Sequence, residues 1–159
     1  MIKLSKNFSL YELIRSQYAL RHNIDNNPSN EVLENLQALC VNVLQPIRDA
    51  IKKPIRVNSG YRCLTLNTGI GGAKTSQHIL GMAADIECPG YDNFSLANFI
   101  KDSVVVYDQL ILEYYAAGNK NSGWVHISYK KDSENRMEEL TKFSKINGYY
   151  AGILNFPNQ

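Results

Sequence analysis

Two histidines and an aspartate stand out in the segments "SQHILGMAADIE" and "GWVHISY". His78 precedes Asp85 across a run of mostly small or apolar residues, and His126 follows far along the chain. Imidazole nitrogen and carboxylate oxygen are the donors of a catalytic zinc ion, which takes three protein ligands and leaves a fourth position to water. Such an ion lowers the pKa of its water to about 7, and a nearby carboxylate must then accept the proton. In "YDQLILEYY" the candidates are Asp108 and Glu113, which point to opposite sides of a regular strand. Glu113 is nearer the turn that follows, hence nearer His126, and is favoured. Arg62, after the turn "SGYR", carries a guanidinium fork that matches a substrate carboxylate. Ser76 either bonds at the site or caps its turn.

Each residue taken singly has a plainer reading. A strand histidine is more often a hydrogen-bonded packing residue. Asp85 alone suits a cap, Arg62 a surface ion pair and Glu113 a solvated strand position. Spacing by itself leaves these alternatives open. His22, in the polar segment "LRHNIDNN", reads as a surface residue.

The elements that must hold these residues follow from periodicity. Phe8, Leu10, Tyr11, Leu13, Ile14 and Tyr18 fit a short helix, with Ser9 as N-cap and Glu12 completing a capping box. Val32 through Ile51 recur at helical spacing, capped by Ser29 or Asn30. Pro46 predicts a kink there, or a place where its missing N–H is tolerated. Residues 55–58 read as a strand, and "LNTGIGGAKTSQH" as a glycine-rich loop. The bend after His78 needs Gly81, and small Ala83 and Ala84 let backbones approach. "GMAADIE" ends in a strand, and "NFSLANFIKDS" is a second helix. "VVVYDQLILEYY" and "GWVHISYK" form a hairpin. Alternation places Trp124, His126 and Ser128 on one face of its second strand. The tail from Glu138 onward is ambiguous. Helices first and strands later predict a single α+β domain over residues 1–159, with a mostly antiparallel sheet and a motif core near 55–128.

Composition narrows the classes. The chain has 159 residues, 44% of them hydrophobic, enough for a real core rather than a disordered chain. Seventeen basic and fifteen acidic residues give +2, too balanced for a nucleic-acid stripe. Ten scattered tyrosines read mainly as half-buried packing. No apolar run approaches the roughly 20 residues of a membrane span. Neither a cleavable h-region nor a disulfide framework is visible, and the three cysteines read as small apolar side chains. The expectation is a cytosolically made monomer without signal peptide, membrane or nucleic-acid partner.

The stretch "VNSGYRCLTLNTGIGGAKTSQHILGMAADIE" resembles the signature of the M15 zinc peptidases, especially the D-Ala-D-Ala carboxypeptidase-like branch. "SGYR", "LN", "IGG", "SQHILGMAAD" and "WVH" occur here in the family's order, and the N-terminal segment is similar to the helical lead-in of phage-type members. The resemblance spans Ser5 to Ser128. It implies zinc held by His78, Asp85 and His126, with Arg62 binding or polarising substrate and Ser76 belonging to the same motif. It also implies an α+β fold similar to the hedgehog signalling domain. The implied substrates are stem peptides of bacterial peptidoglycan, cut at D-Ala or nearby L/D bonds. An endolysin-like murein hydrolase would reach them through a phage-type lysis pore or as part of a virion. One position departs from the pattern. Family members often carry Glu or Asp three residues before the last histidine, where this chain has Gly123. The base is then Glu113, whose "LILEYY" setting resembles the carboxypeptidase-like branch, or it is absent. Absence would leave a non-catalytic wall-binding or virion structural protein.

Overall fold

Leu36, Leu39, Cys40, Val43, Leu44 and Ile47 recur at helical spacing, and each is at least 99% buried. Burying one Leu- or Ile-sized side chain is worth about 1.5–3 kcal/mol, so this stripe anchors its helix to whatever lies beneath. In the computed structural model, which describes residues 1–156, what lies beneath is one face of a six-stranded sheet. The helix runs as α3 (Asn30–Leu39), a π-turn over Cys40–Leu44, and α4 (Gln45–Ile51). In the wide turn Gln45 N–H bonds the Cys40 carbonyl, five residues back. Pro46 thus falls in the first turn of α4, where its missing N–H is tolerated. Ser29 is the cap, accepting from Val32 N–H at 3.3 Å.

The expected single N-terminal helix is two. Glu12 accepts from the N–H and hydroxyl of Ser9 at the start of α1 (Leu10–Ile14). Extended backbone at Arg15 and Ser16 then breaks the run, and the Ser16 hydroxyl caps α2 (Gln17–Arg21). His22 is exposed, as expected, and stacks on Tyr18 at 4.1 Å.

The sheet holds β1 (Arg56–Ser59), β2 (Ala83–Glu87), β3 (Gln109–Glu113), β4 (Trp124–Ser128), β5 (Glu138–Lys142) and β6 (Tyr150–Ala151), in the order β1-β2-β4-β3-β5-β6. Every neighbouring pair is antiparallel except β3 and β5. The architecture is α+β with a mostly antiparallel sheet. Helix α6 (Asn93–Lys101) lies in the chain between β2 and β3, and β4 pairs between those two strands. "VVVYDQLILEYY" contributes only five residues of strand; Val104 and Val106 before it are exposed. The glycine-rich loop is partly a helix, α5 (Leu64–Gly69), because the Cys63 thiol takes up the Leu66 N–H at its start. Cys40 and Cys88 are buried and reduced, and Cys63 is half-buried. No described helix is long and apolar enough to cross a membrane.

Strand alternation divides the sheet chemically. Ala84, Ile86, Leu110, Leu112, Val125 and Ile127 face the helical core. Asp85, Ile111, Glu113, Trp124, His126, Leu140 and Lys142 line a cleft of about 990 Å³ on the opposite side.

Candidate metal centre

Register brings two of the candidate ligands together. Asp85 on β2 and His126 on β4 are direct cross-strand partners, and such pairs hold their Cβ atoms about 5 Å apart. His126 Nδ1 lies 3.0 Å from Asp85 Oδ1. His78 arrives from a separate 3-10 turn, Gln77–Leu80, and its Nε2 lies 3.2 Å from the same oxygen. One donor atom from each of the three residues falls within 4.8 Å of the others, and all three side chains are buried.

The turn is held from several sides. The Ser76 hydroxyl accepts from His78 N–H at 3.3 Å. Gly81 closes the turn at φ +70°, where a side chain would be strained. A Cβ there would also strike Val32 and Leu36 of α3. Asn35 of α3 donates to the Leu80 carbonyl at 2.9 Å. On the other flank, Tyr61 N–H bonds Leu13 O of α1 at 2.7 Å and Arg62 N–H bonds His78 O at 3.1 Å. Buried Asn26 bridges the carbonyls of Ile14 and Tyr61 and accepts from Cys63 N–H. Its role was invisible in the sequence, where "NIDNNPSN" shows only a turn.

The hydrogen bonding at His78 tests whether a metal fits. Nδ1 lies 2.7 Å from the Gly60 carbonyl, which can only accept, so Nδ1 carries the proton. In the neutral ring Nε2 then presents a lone pair to a carboxylate oxygen. Two lone pairs facing each other need a cation between them, either a proton or a metal ion. Burial pushes the His78 pKa down, which disfavours the proton. Two imidazole nitrogens and one carboxylate oxygen, with a carbonyl fixing one tautomer from behind, are a zinc-type donor set.

Asp85 stays ionised. Burial alone would raise its pKa, but positive charge and donated protons at His78 and His126 hold it far below the usual carboxylate range, and a metal ion between these groups would take the place of the His78 proton in that balance. Its second oxygen takes Arg62 Nη2 at 2.6 Å, while Arg62 Nε bonds the Ser59 hydroxyl at 2.8 Å. Arg62 Nη1 has no protein partner among the described residues. Glu113 faces the same cleft. Burial lifts its pKa above the ordinary value, partly offset by His126. Asp108 lies elsewhere. Its fully buried carboxylate is occupied by Lys130 Nζ at 3.0 Å, Arg136 Nη2 at 2.6 Å and Gln77 Nε2 at 2.9 Å.

Residues 6–128 match the sequence model of the Peptidase M15 family. The chain belongs to that family. A stretch of 44 residues is also 50% identical to a zinc D-Ala-D-Ala carboxypeptidase of Streptomyces albus G. That stretch covers 27% of this chain and 17% of the relative's length.

In this member of the M15 family the departure at Gly123 has a backbone cause. Gly123 opens β4 at φ +67°, and an added Cβ would meet the Tyr114 carbonyl carbon and Tyr115 nitrogen at 2.7 Å. A carboxylate side chain at 123 has no room in this turn. The M15 match also stops before β5, so Leu140, Lys142, Lys145 and Tyr149 add a wall to the cleft from outside the matched span.

Proposed function

We propose that the protein is a zinc-dependent peptidase acting on stem peptides of bacterial peptidoglycan. The observation that carries this reading is the convergence of His78, Asp85 and His126 on the floor of a wide cleft, with Glu113, a carboxylate that has no ion-pair partner among the described residues, on the same sheet face. The zinc D-Ala-D-Ala carboxypeptidase relative supports both the metal and the substrate class. The single-domain reading of residues 1–159 accords with one core lying beneath one sheet.

His78, Asp85 and His126 would hold the ion, which when bound supplies Lewis-acid polarisation and acidifies water. Glu113 accepts the proton from the attacking water and returns it to the leaving amine. Its raised pKa brings it closer to neutrality and so suits both transfers. Arg62 locks Asp85 in place and offers its remaining N–H groups to a substrate carbonyl. Ser76 fixes the turn that carries His78 and lines the cleft in which the substrate would lie. An endolysin-type role for a monomer, released through a lysis pore or carried in a virion, extends this reading and is supported by the phage-like lead-in.

Purified muropeptides incubated with the protein, and followed by mass spectrometry, test the reading. Cleavage should vanish with chelator and return with zinc, and the product masses should identify the bond. Undiminished cleavage in chelator would remove the metal from the mechanism. Zinc uptake without any hydrolysis would instead favour the binding-only role that Gly123 raises.

A further inference from the structure

Five cations line the cleft: Arg62, Lys130, Arg136, Lys142 and Lys145. Three of them are committed. Arg62 is paired with Asp85, and Lys130 and Arg136 are both paired with Asp108. Lys142 and Lys145 have no carboxylate within 4.0 Å among the described residues. Both come from the segment beyond the family match.

Lys142 is placed rather than loose. It ends β5, whose parallel register sets it beside Glu113 of β3, and partners in a parallel ladder share a sheet face. Its ammonium lies 4.6 Å from the centre of the Tyr149 ring, a cation–π contact that limits its rotamers. The side chain is half-buried, so its charge is screened less than that of a fully solvated lysine. Glu113 stands next to it without closing an ion pair. An unneutralised cation therefore sits on the cleft floor, one strand away from the proposed base.

We propose that Lys142, seconded by Lys145, determines specificity by binding a carboxylate of the peptide substrate on the β5 side of the metal ligands. The substrate class rests on the peptidase reading above. Arg62, already bound to Asp85 and Ser59, is poorly free to close a two-pronged grip on a second carboxylate, which leaves that task to the β5 wall. A peptide of this type carries two carboxylate sources near the site: a free C-terminus and the α-carboxylate of a γ-linked D-Glu.

Two peptide pairs separate these sources: diacetyl-Lys-D-Ala-D-Ala as acid and as C-terminal amide, and L-Ala-γ-D-Glu-Lys with the D-Glu carboxylate free or amidated. Turnover is measured with zinc-loaded wild type, Lys142→Met and Lys142→Arg. Binding is measured in parallel by calorimetry on zinc-loaded Glu113→Gln protein, with and without Lys142→Met. A charge-assisted contact predicts that the wild type prefers the acid of one pair by about tenfold, mainly in KM. Lys142→Met should bring that preference near unity, and Lys142→Arg should keep most of it. The pair affected identifies the carboxylate. The proposal is overturned if Lys142→Met lowers both members of each pair equally, if the preference survives it, or if no pair is discriminated. If no peptide is cleaved while binding still prefers the acid through Lys142, the peptidase reading fails and the anion site stands. If peptides are cleaved with a preference indifferent to Lys142, the converse holds.

Discussion

Asp85 serves three partners with two oxygens. Oδ1 faces both imidazoles and Oδ2 holds Arg62, so the placing of the three candidate donors depends on a guanidinium that itself leans on Ser59. Arg62→Lys keeps the charge and loses the fork. We expect zinc affinity to fall about tenfold, as for other outer-shell changes, measured by competition with a chromophoric chelator. Glu113 is tested differently. Glu113→Gln should lower kcat by about 10²–10⁴-fold while leaving zinc content unchanged. A mutant with normal turnover would send the search for a base elsewhere; Asp108 is a poor successor, because its carboxylate is consumed by Arg136, Lys130 and Gln77.

At the scale of the element, the β3–β4 connection decides where an acid can stand. Gly123 packs against the backbone of Tyr114 and Tyr115 in a left-handed conformation. Gly123→Ala should destabilise the fold by about 1–3 kcal/mol from backbone strain, read as a lower midpoint in urea. Gly123→Glu, combined with Glu113→Gln, should not restore activity, because the side chain cannot enter without moving both strands. The 3-10 turn Gln77–Leu80 shows the complementary case. Its sequence announces a histidine and a glycine bend, but what holds it comes from helix and loop positions that look unremarkable: Asn35 directly, and Asn26 through the Tyr61–Cys63 loop, whose Arg62 N–H bonds the His78 carbonyl.

Across the whole molecule, Asp108 ties the turn that carries His78 to the tail. Gln77, Lys130 and the Arg136 guanidinium meet on one buried carboxylate just ahead of β3. Burial alone would raise its pKa, but hydrogen bonds from Arg136, Lys130 and Gln77 hold it below the ordinary value. A carboxyl with a depressed folded pKa stabilises fully above its unfolded pKa of about 3.9, and loses that stabilisation as pH falls below it. Asp108→Asn should therefore cost about 3 kcal/mol at pH 7. The gap in midpoint between wild type and mutant should narrow on acidification from pH 5 towards pH 2. A gap that is constant with pH would mean that the carboxylate's charge is not what stabilises.

The ligand types, the capping box at Ser9 and Glu12, the long apolar stripe, the bend at Gly81 and the two faces of β4 were all readable from residue order, because each depends on a side chain and its near neighbours along the chain. What those residues meet was not readable. The Asp85–His126 pairing depends on strand register, which is settled by burial summed over six strands and not by the five residues of either one. β5 escaped because "EELTK" has no apolar alternation, and its parallel place beside β3 arises only after the tail folds back. The confrontation of lone pairs at His78 and the placing of the Lys142 ammonium beside Glu113 are likewise properties of residues distant along the chain. Only the folded molecule, in which burial strips away the water that would otherwise separate them, gives those neighbours their chemistry.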